Sequence, residues 1–340
     1  MKYSNLTYYL LAILCIMITS CSTDGVTDDF SDSKSQILVK DVHINFVLSF
    51  PANSSTRVSE DNGLESERAI NNVHVYTFQN NRFIEEIQYI VIDGKDGDIR
   101  RNIDGKLSGT YNTGTPMDFI VIVNAKNKGV YDVKMNPGNS KTDLYDQLIF
   151  SYAKDTDRST YIPMWGEGTI TSVTSGENNI GELTLKRAVA KVNVTVNGGN
   201  GITDFKITEV RLHQYNTQGY YAPLKDDGPS VPESSKISTE FLTSGILSGV
   251  EGNKVENKFY IPEHKNIGAE KEAKVYLVIE AEARGKMKSY TIPFSENGKD
   301  YNVLRNHIYV FNITSVNMDV TLDYEVKVWE TENIDVPSFD

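Results

Sequence analysis

From Val42 to Phe50 every second residue is apolar: Val42, Ile44, Phe46, Leu48 and Phe50 alternate with His43, Asn45, Val47 and Ser49. A period of two, with β-branched and aromatic residues on one side, marks a half-buried β-strand. Pro51 ends it, and Asn53, Ser54 and Ser55 make a polar, exposed loop. Arg57 lies in that loop, where a trypsin-like protease can reach it. The rest of the core lies downstream, so the first strand is joined to its domain by one cleavable loop.

Upstream, Lys2 is a charged start, Leu10–Ile18 an apolar run and Thr19–Ser20 a small-residue site before Cys21. Residues 1–20 therefore read as a signal peptide, too short to remain as a spanning helix. A small residue just before Cys resembles the bacterial lipoprotein signal, with Cys21 as the acylated N-terminus. Residues 21–36 are acidic and polar, with almost nothing to bury, and read as a tether. Cys15 falls in the discarded segment, so the mature chain has no second cysteine for a disulfide and no free thiol for catalysis or metal binding.

The remaining ~320 residues suggest two domains. A net charge of −12 with interspersed signs argues against nucleic acid as a partner. The 19 Tyr and 24 Gly suit an all-β surface protein. The pattern predicts strands at Ile70–Phe78, Arg82–Ile92, Phe205–Leu212, Lys258–Ile261, Ala273–Ala283, Ser289–Phe294 and Thr321–Trp329, and a turn and strand over Tyr301–Ile313. Met117–Val123 is nearly all apolar and reads as a central strand buried on both faces. Leu144, Leu148 and Tyr152 fall at i, i+4, i+8 and predict a short helix over Thr142–Tyr152. Tyr215–Val250, with Pro223, Pro232 and many Ser and Gly, reads as a long exposed loop. In Gly181–Val196 the apolar set moves from odd positions (Leu183, Leu185) to even ones (Ala190, Val192, Val194, Val196). Such a phase flip means a bulge or a passage between sheets. It places a boundary near Arg187, between β-sandwich domains at 37–187 and 188–340.

No catalytic constellation is visible. His43, His74, His213, His264 and His307 are scattered, without ligand spacing. Glu263-His264 is the nearest acid–base pair, but neighbours on a strand face opposite ways. Asp93–Asp98 faintly resembles a calcium loop, yet Lys95 and Gly97 stand where oxygens are needed. Trp165, in a Pro/Gly-punctuated corner, reads as packing rather than ligand stacking. Neither a metal nor a cofactor is expected. Composition and periodicity alone lead to a two-domain β-sandwich surface lipoprotein and assign it no activity.

Several segments, taken in order, resemble the fimbrillins, subunits of Bacteroidales type V pili. These are the first strand with Arg57, then Ile120–Asn124 (IVIVN) and Leu185–Val192 (LKRAVAKV), and finally Leu304–Tyr309 (LRNHIY) and Tyr324–Trp329 (YEVKVW). The resemblance implies two tandem transthyretin-like β-sandwiches and a structural role. It implies a precursor lipidated at Cys21 in the outer membrane, cut by an arginine-specific protease at Arg57, and incorporated into a cell-surface fimbrium. The displaced strand would carry Val42, Ile44, Phe46, Leu48 and Phe50. The donor would be a C-terminal segment within Thr321–Phe339, with Ile334, Val336 and Phe339 as anchors. Partners would be further copies or related pilins, and the adhesion ligand is left open. Arg68 is the rival cleavage site, with less slack chain and with Glu65 and Glu67 beside it. Two other readings compete. One is an anchor or tip subunit of the same superfamily; the other is a glycan-binding lipoprotein using Tyr220 and Tyr221.

Overall fold

The computed structural model describes residues 37–50, 63–125, 133–155, 160–196, 205–225, 227–248, 254–296, 298–316 and 322–329. Its first half runs β1 (Leu38–Val39), β2 (Val42–Ser49), β3 (Val73–Gln79), β4 (Arg82–Glu86), β5 (Tyr89–Ile92), β6 (Arg100–Lys106), β7 (Tyr111–Asn112) and β8 (Met117–Val123). Then come α1 (Lys141–Gln147), β9 (Ile149–Ser151), β10 (Met164–Ile170), β11 (Gly176–Thr184) and β12 (Lys186–Arg187). Two sheets, ordered β12-β10-β8-β3-β4 and β11-β2-β6-β5, enclose one hydrophobic cluster. Burial alternates along β2 and β6, so the four-stranded sheet has one wet face. The near-continuous apolar run of β8 explains its central place in the five-stranded one.

The second half contains β13 (Val189–Val196), β14 (Phe205–His213), β15 (Gln218–Tyr220), β16 (Leu242–Thr243), β17 (Lys254–Pro262), β18 (Tyr276–Ala283) and β19 (Lys286–Pro293). It closes with β20 (Ser295–Glu296), β21 (Lys299–Asp300), β22 (Ile308–Val316) and β23 (Leu322–Trp329). Sheets ordered β17-β13-β22-β23 and β16-β14-β18-β19 enclose a second cluster. The protein is thus all-β, with sheets packed as sandwiches. The phase flip near Arg187 has a physical counterpart: β11, β12 and β13 belong to three different sheets, so the chain changes sheet twice.

Three expectations are corrected. Arg82–Ile92 is not one strand but β4 and β5, in opposite sheets of the first sandwich. The turn comes at Ile87, which is buried and whose N–H donates to Val75 O at 2.9 Å. The helix stops at Gln147 rather than running to Tyr152. Ser140 and Asp143 form a capping box at its start. At its end the Leu148 N–H bonds back to Tyr145 O, and Ile149–Ser151 pairs with β15 instead. Strand pairing with a distant segment outweighs the helical spacing. Tyr215–Val250 is not a free loop either. It supplies β15 and β16, and Tyr215, Tyr220, Tyr221, Ala222 and Leu242 are buried. Gly219 sits so close to Phe150 that a Cβ there would lie 2.5 Å from the ring.

Candidate functional site: the groove of the first strand

β2 is an inner strand of its sheet. It runs parallel to β11, from Val42 opposite Gly176 to Ser49 opposite Thr184. It runs antiparallel to β6, from His43 opposite Lys106 to Ser49 opposite Arg100. Val42, Ile44, Phe46, Leu48 and Phe50 are 0–3 % exposed, so the period of two delivers all five side chains to the core. Gly105 on β6 makes room for one of them, since a Cβ there would lie 3.3 Å from Ile44. The strand is bonded at both ends: Leu107 N–H donates to Val42 O at 2.9 Å, Leu185 N–H to Ser49 O at 2.8 Å, and Phe50 N–H to Ile99 O at 3.1 Å. On β11 the buried Asn178 side chain donates to His43 O at 3.2 Å, and a bulge between Asn179 and Gly181 interrupts the register. An Arg100–Glu182 ion pair bridges β6 and β11 across the outer face. The groove between β6 and β11 is filled by β2. If β2 left, an apolar trough and two bare strand edges would remain.

β6 escaped the sequence reading, and of β11 only Gly181–Thr184 fell within a segment read as strand. β6 turns Arg101, Ile103 and Gly105 inward, and β11 turns Asn178 and Leu183 inward. β6 shows no apolar alternation, and β11 shows it only at its end, where Leu183 is followed two residues on by Leu185.

Residues 51–62, with Arg57, lie outside the described residues, as do Cys21, Ile334, Val336 and Phe339. Within the donor candidate Thr321–Phe339, Leu322–Trp329 forms β23, paired antiparallel with β22 of the same chain. Arg68 is described and 8 % exposed, in a 3-10 turn spanning Glu65–Arg68. Its Nε donates to Gly97 O at 2.7 Å, and Nη1 donates to Gly63 O.

The neighbouring Glu67 is 2 % exposed and is met by three groups from the junction of the sandwiches. Lys191 Nζ donates to it at 2.6 Å, the Tyr260 hydroxyl donates to the same oxygen, and Arg187 Nη2 stands 3.8 Å from the other. Burial opposes its charge, but Lys191 and Arg187 outweigh burial and hold the carboxyl below its ordinary range. Gly63, at φ +73°, is packed so tightly against Glu67 and Arg187 that a Cβ would collide with both. This clasp ties the turn Glu65–Arg68 to the second sandwich.

The other candidate residues are occupied structurally. Glu263 accepts from Arg305 Nη2 at 2.6 Å, and His264 Nε2 lies 2.6 Å from Ala273 O. Burial lowers the His264 pKa, so the ring is neutral at neutral pH. His74 pairs with Glu86 at 2.7 Å, and His213 stacks on Tyr276. In Asp93–Asp98 the carboxylates accept backbone amides: Gly94 on Asp93, Lys95 on Asp98 and Ile70 on Asp96. Among the described residues no group of three or more His, Cys, Asp or Glu is arranged to hold a metal. Trp165 is half-buried and meets Tyr145 edge-on at 6.4 Å. Tyr220 and Tyr221 offer no platform, because both are buried and the Tyr221 hydroxyl donates to Ala125 O. Asn124, which closes β8, is buried at φ +60°. Its side chain is bonded to Asn71 N, Ala69 O and Ile162 O, which explains the residue at the end of IVIVN.

No curated protein matches the chain. Three solved structures share its fold. The tip fimbrial protein Mfa3 from Porphyromonas gingivalis is 15 % identical with a TM-score of 0.52, over 85 % of this chain and 99 % of that one. A fimbrial assembly protein from Parabacteroides distasonis is 13 % identical with a TM-score of 0.53, over 86 % and 100 %. A fimbrilin from Porphyromonas gingivalis is 12 % identical with a TM-score of 0.51, over 85 % and 97 %. A family profile matches residues 35–335, nearly all of the two sandwiches. By that match the chain belongs to the family of fimbrillin-A associated anchor proteins Mfa1 and Mfa2.

Proposed function

We propose that this chain is a structural pilin exported as an outer-membrane lipoprotein precursor, cut after Arg57 by an arginine-specific protease and polymerised by donor-strand exchange. The observation that carries the reading is β2 itself, an inner strand that with Phe50 buries five side chains on one side and is followed in sequence by residues 51–62 with Arg57. A strand so placed is expelled only if another strand takes over its contacts, which is the logic of strand complementation. Burial of Arg68 favours Arg57, because a protease needs an extended, accessible backbone and Arg68 is held in a turn by its own guanidinium. The donor is a segment within Thr321–Phe339 of a neighbouring copy or related pilin, with Ile334, Val336 and Phe339 as anchors. The two domains are 37–187 and 188–340. The role is structural and no catalysis is expected.

Treating the purified precursor with an arginine-specific protease tests this directly. N-terminal sequencing should read Val58-Ser59-Glu60, followed by SDS-resistant ladders, while Arg57→Ala stays monomeric. A variant Arg57→Ala that still polymerises, with Arg68→Ala inert, would move the site to Arg68. Lipidation has its own measurement: palmitate labelling should be present in wild type and lost in Cys21→Ala, and equal labelling would refute it.

A second reading is an anchor or tip subunit. It is favoured by the family description, which names anchor proteins, and by the shared fold with a tip protein. An anchor would keep both β2 and the lipid, so a precursor that resists cleavage in its native state would favour it.

A further inference from the structure

Between β10, β12 and the turn that precedes β22 lies an open cleft of about 320 Å³ at the junction of the sandwiches. Its lining includes Trp165, Lys186, Lys225, Leu304, Arg305 and His307. The chain as a whole carries 46 acidic and 34 basic residues, yet among the described residues the only carboxylate lining this cleft is Glu263. That carboxylate is already engaged, with Arg305 Nε at 3.0 Å, Arg305 Nη2 at 2.6 Å and Ser230 N at 3.1 Å. Among the described residues Lys186 and Lys225 have no ion-pair partner. Trp165 and Lys186 are cross-strand partners, so an indole and a free ammonium group stand side by side. Two uncompensated cations on an apolar wall are complementary to a peptide that carries both carboxylates and apolar side chains.

The register of the last strands points to the occupant. β23 runs antiparallel to β22 with Trp329 opposite Ile308. Leu304, Arg305, Asn306 and His307, which border the cleft, come immediately before Ile308. The end of β23 at Trp329 therefore stands next to the residues that border the cleft. Residues 330–340, which lie outside the described residues, read ETENIDVPSFD. They contain Glu330, Glu332, Asp335 and Asp340, no base, and the apolar Ile334 and Val336. At about 3.3 Å per extended residue, the first few of them are enough to cross the cleft.

We propose that this cleft is a receptor for an acidic peptide and that segment 330–340 of the same chain is its occupant, with Glu330 and Glu332 against Lys186 and Lys225. Resting on the pilin reading, docking in cis withholds Ile334, Val336 and Phe339 from a neighbour's groove until that groove competes for them. The latch is weak by construction, because its ion pairs are partly exposed and screened by salt. That suits a segment meant to leave.

Zero-length carbodiimide crosslinking of the purified full chain, with peptide mapping of the monomer fraction, tests the docking. Lys186 or Lys225 should be linked to Glu330, Glu332 or Asp335. The yield should fall about tenfold in 1 M salt, where the Debye length is about 3 Å. Links confined to multimers would assign the occupant to a second copy and overturn docking in cis. Links from 330–340 spread over lysines elsewhere, or none at all, would overturn it as well. In a second arm, the double variant Lys186→Glu, Lys225→Glu should polymerise several-fold faster than wild type after arginine-specific cleavage, and an unchanged rate would refute the withholding role. If the monomer links form but neither protein polymerises after cleavage, the docking stands and the pilin reading falls.

Discussion

A chain that begins at Val58 should fail to persist as a monomer, and should recover when a synthetic peptide spanning residues 40–51 is supplied. Removing Val42, Ile44, Phe46, Leu48 and Phe50 exposes what five fully buried side chains covered. At about 1.5–3 kcal/mol for each, the loss is roughly 7–15 kcal/mol before any offset. That equals the whole stability of a typical domain, about 5–15 kcal/mol. The loss also bares the facing edges of β6 and β11, which invite pairing with other chains. Size-exclusion chromatography should show the shortened chain as multimers or aggregate. The peptide should shift it to the monomer position, and the same peptide with Phe46→Asp should not, because a charge would enter a core site that is 2 % exposed. A shortened chain that is monomeric, with an unchanged denaturation midpoint, would show that β2 is dispensable.

Replacing Glu67 with Gln should be the most damaging single polar substitution near the loop. It leaves Lys191, a buried lysine whose ammonium lies 2.6 Å from the carboxylate, without its counter-charge. Breaking one side of a buried pair costs about 3–5 kcal/mol. Chemical denaturation should show a lower midpoint, and the double variant Glu67→Gln, Lys191→Met should recover part of it. The sign of the pH effect follows from the depressed carboxyl pKa. Such a group contributes stability that is fully present above its unfolded value of about 4.3, and the contribution is lost as the pH falls through the lower folded value. Wild type should therefore weaken on acidification below about pH 4 more steeply than Glu67→Gln. Parallel acid-denaturation profiles for the two proteins would remove Glu67 from the account. The same substitution loosens the turn that holds Arg68, so trypsin should begin to cut after Arg68 in the variant.

The amino-acid sequence by itself determined the strand that matters. Val42–Phe50 could be placed, and its buried face named, because alternation is a local property written into consecutive residues. The change of sheet near Arg187 was legible for the same reason, whereas the Asn at the end of β8 stood out only through the resemblance to the fimbrillins. Apart from the last residues of β11, the walls of the groove were not legible. β6 and β11 turn Arg101, Gly105 and Asn178 inward, residues that look like loop in sequence. They are tolerated there because groups outside their own strands satisfy them: Arg101 Nε bonds Asp93 O at 2.8 Å and Asn178 bonds His43 O. Likewise the i, i+4, i+8 spacing of Leu144, Leu148 and Tyr152 promised a longer helix. Leu148 went instead to the first core, with Phe150 on a strand, while Tyr152 went to the second. Only the tertiary structure decided that Arg68 is sealed in a turn, that Glu67 joins the two sandwiches, and that the stretch after Tyr215 is packed rather than free. In each case a polar or irregular segment is held by partners tens to hundreds of residues away in the chain, and local periodicity carries no record of them.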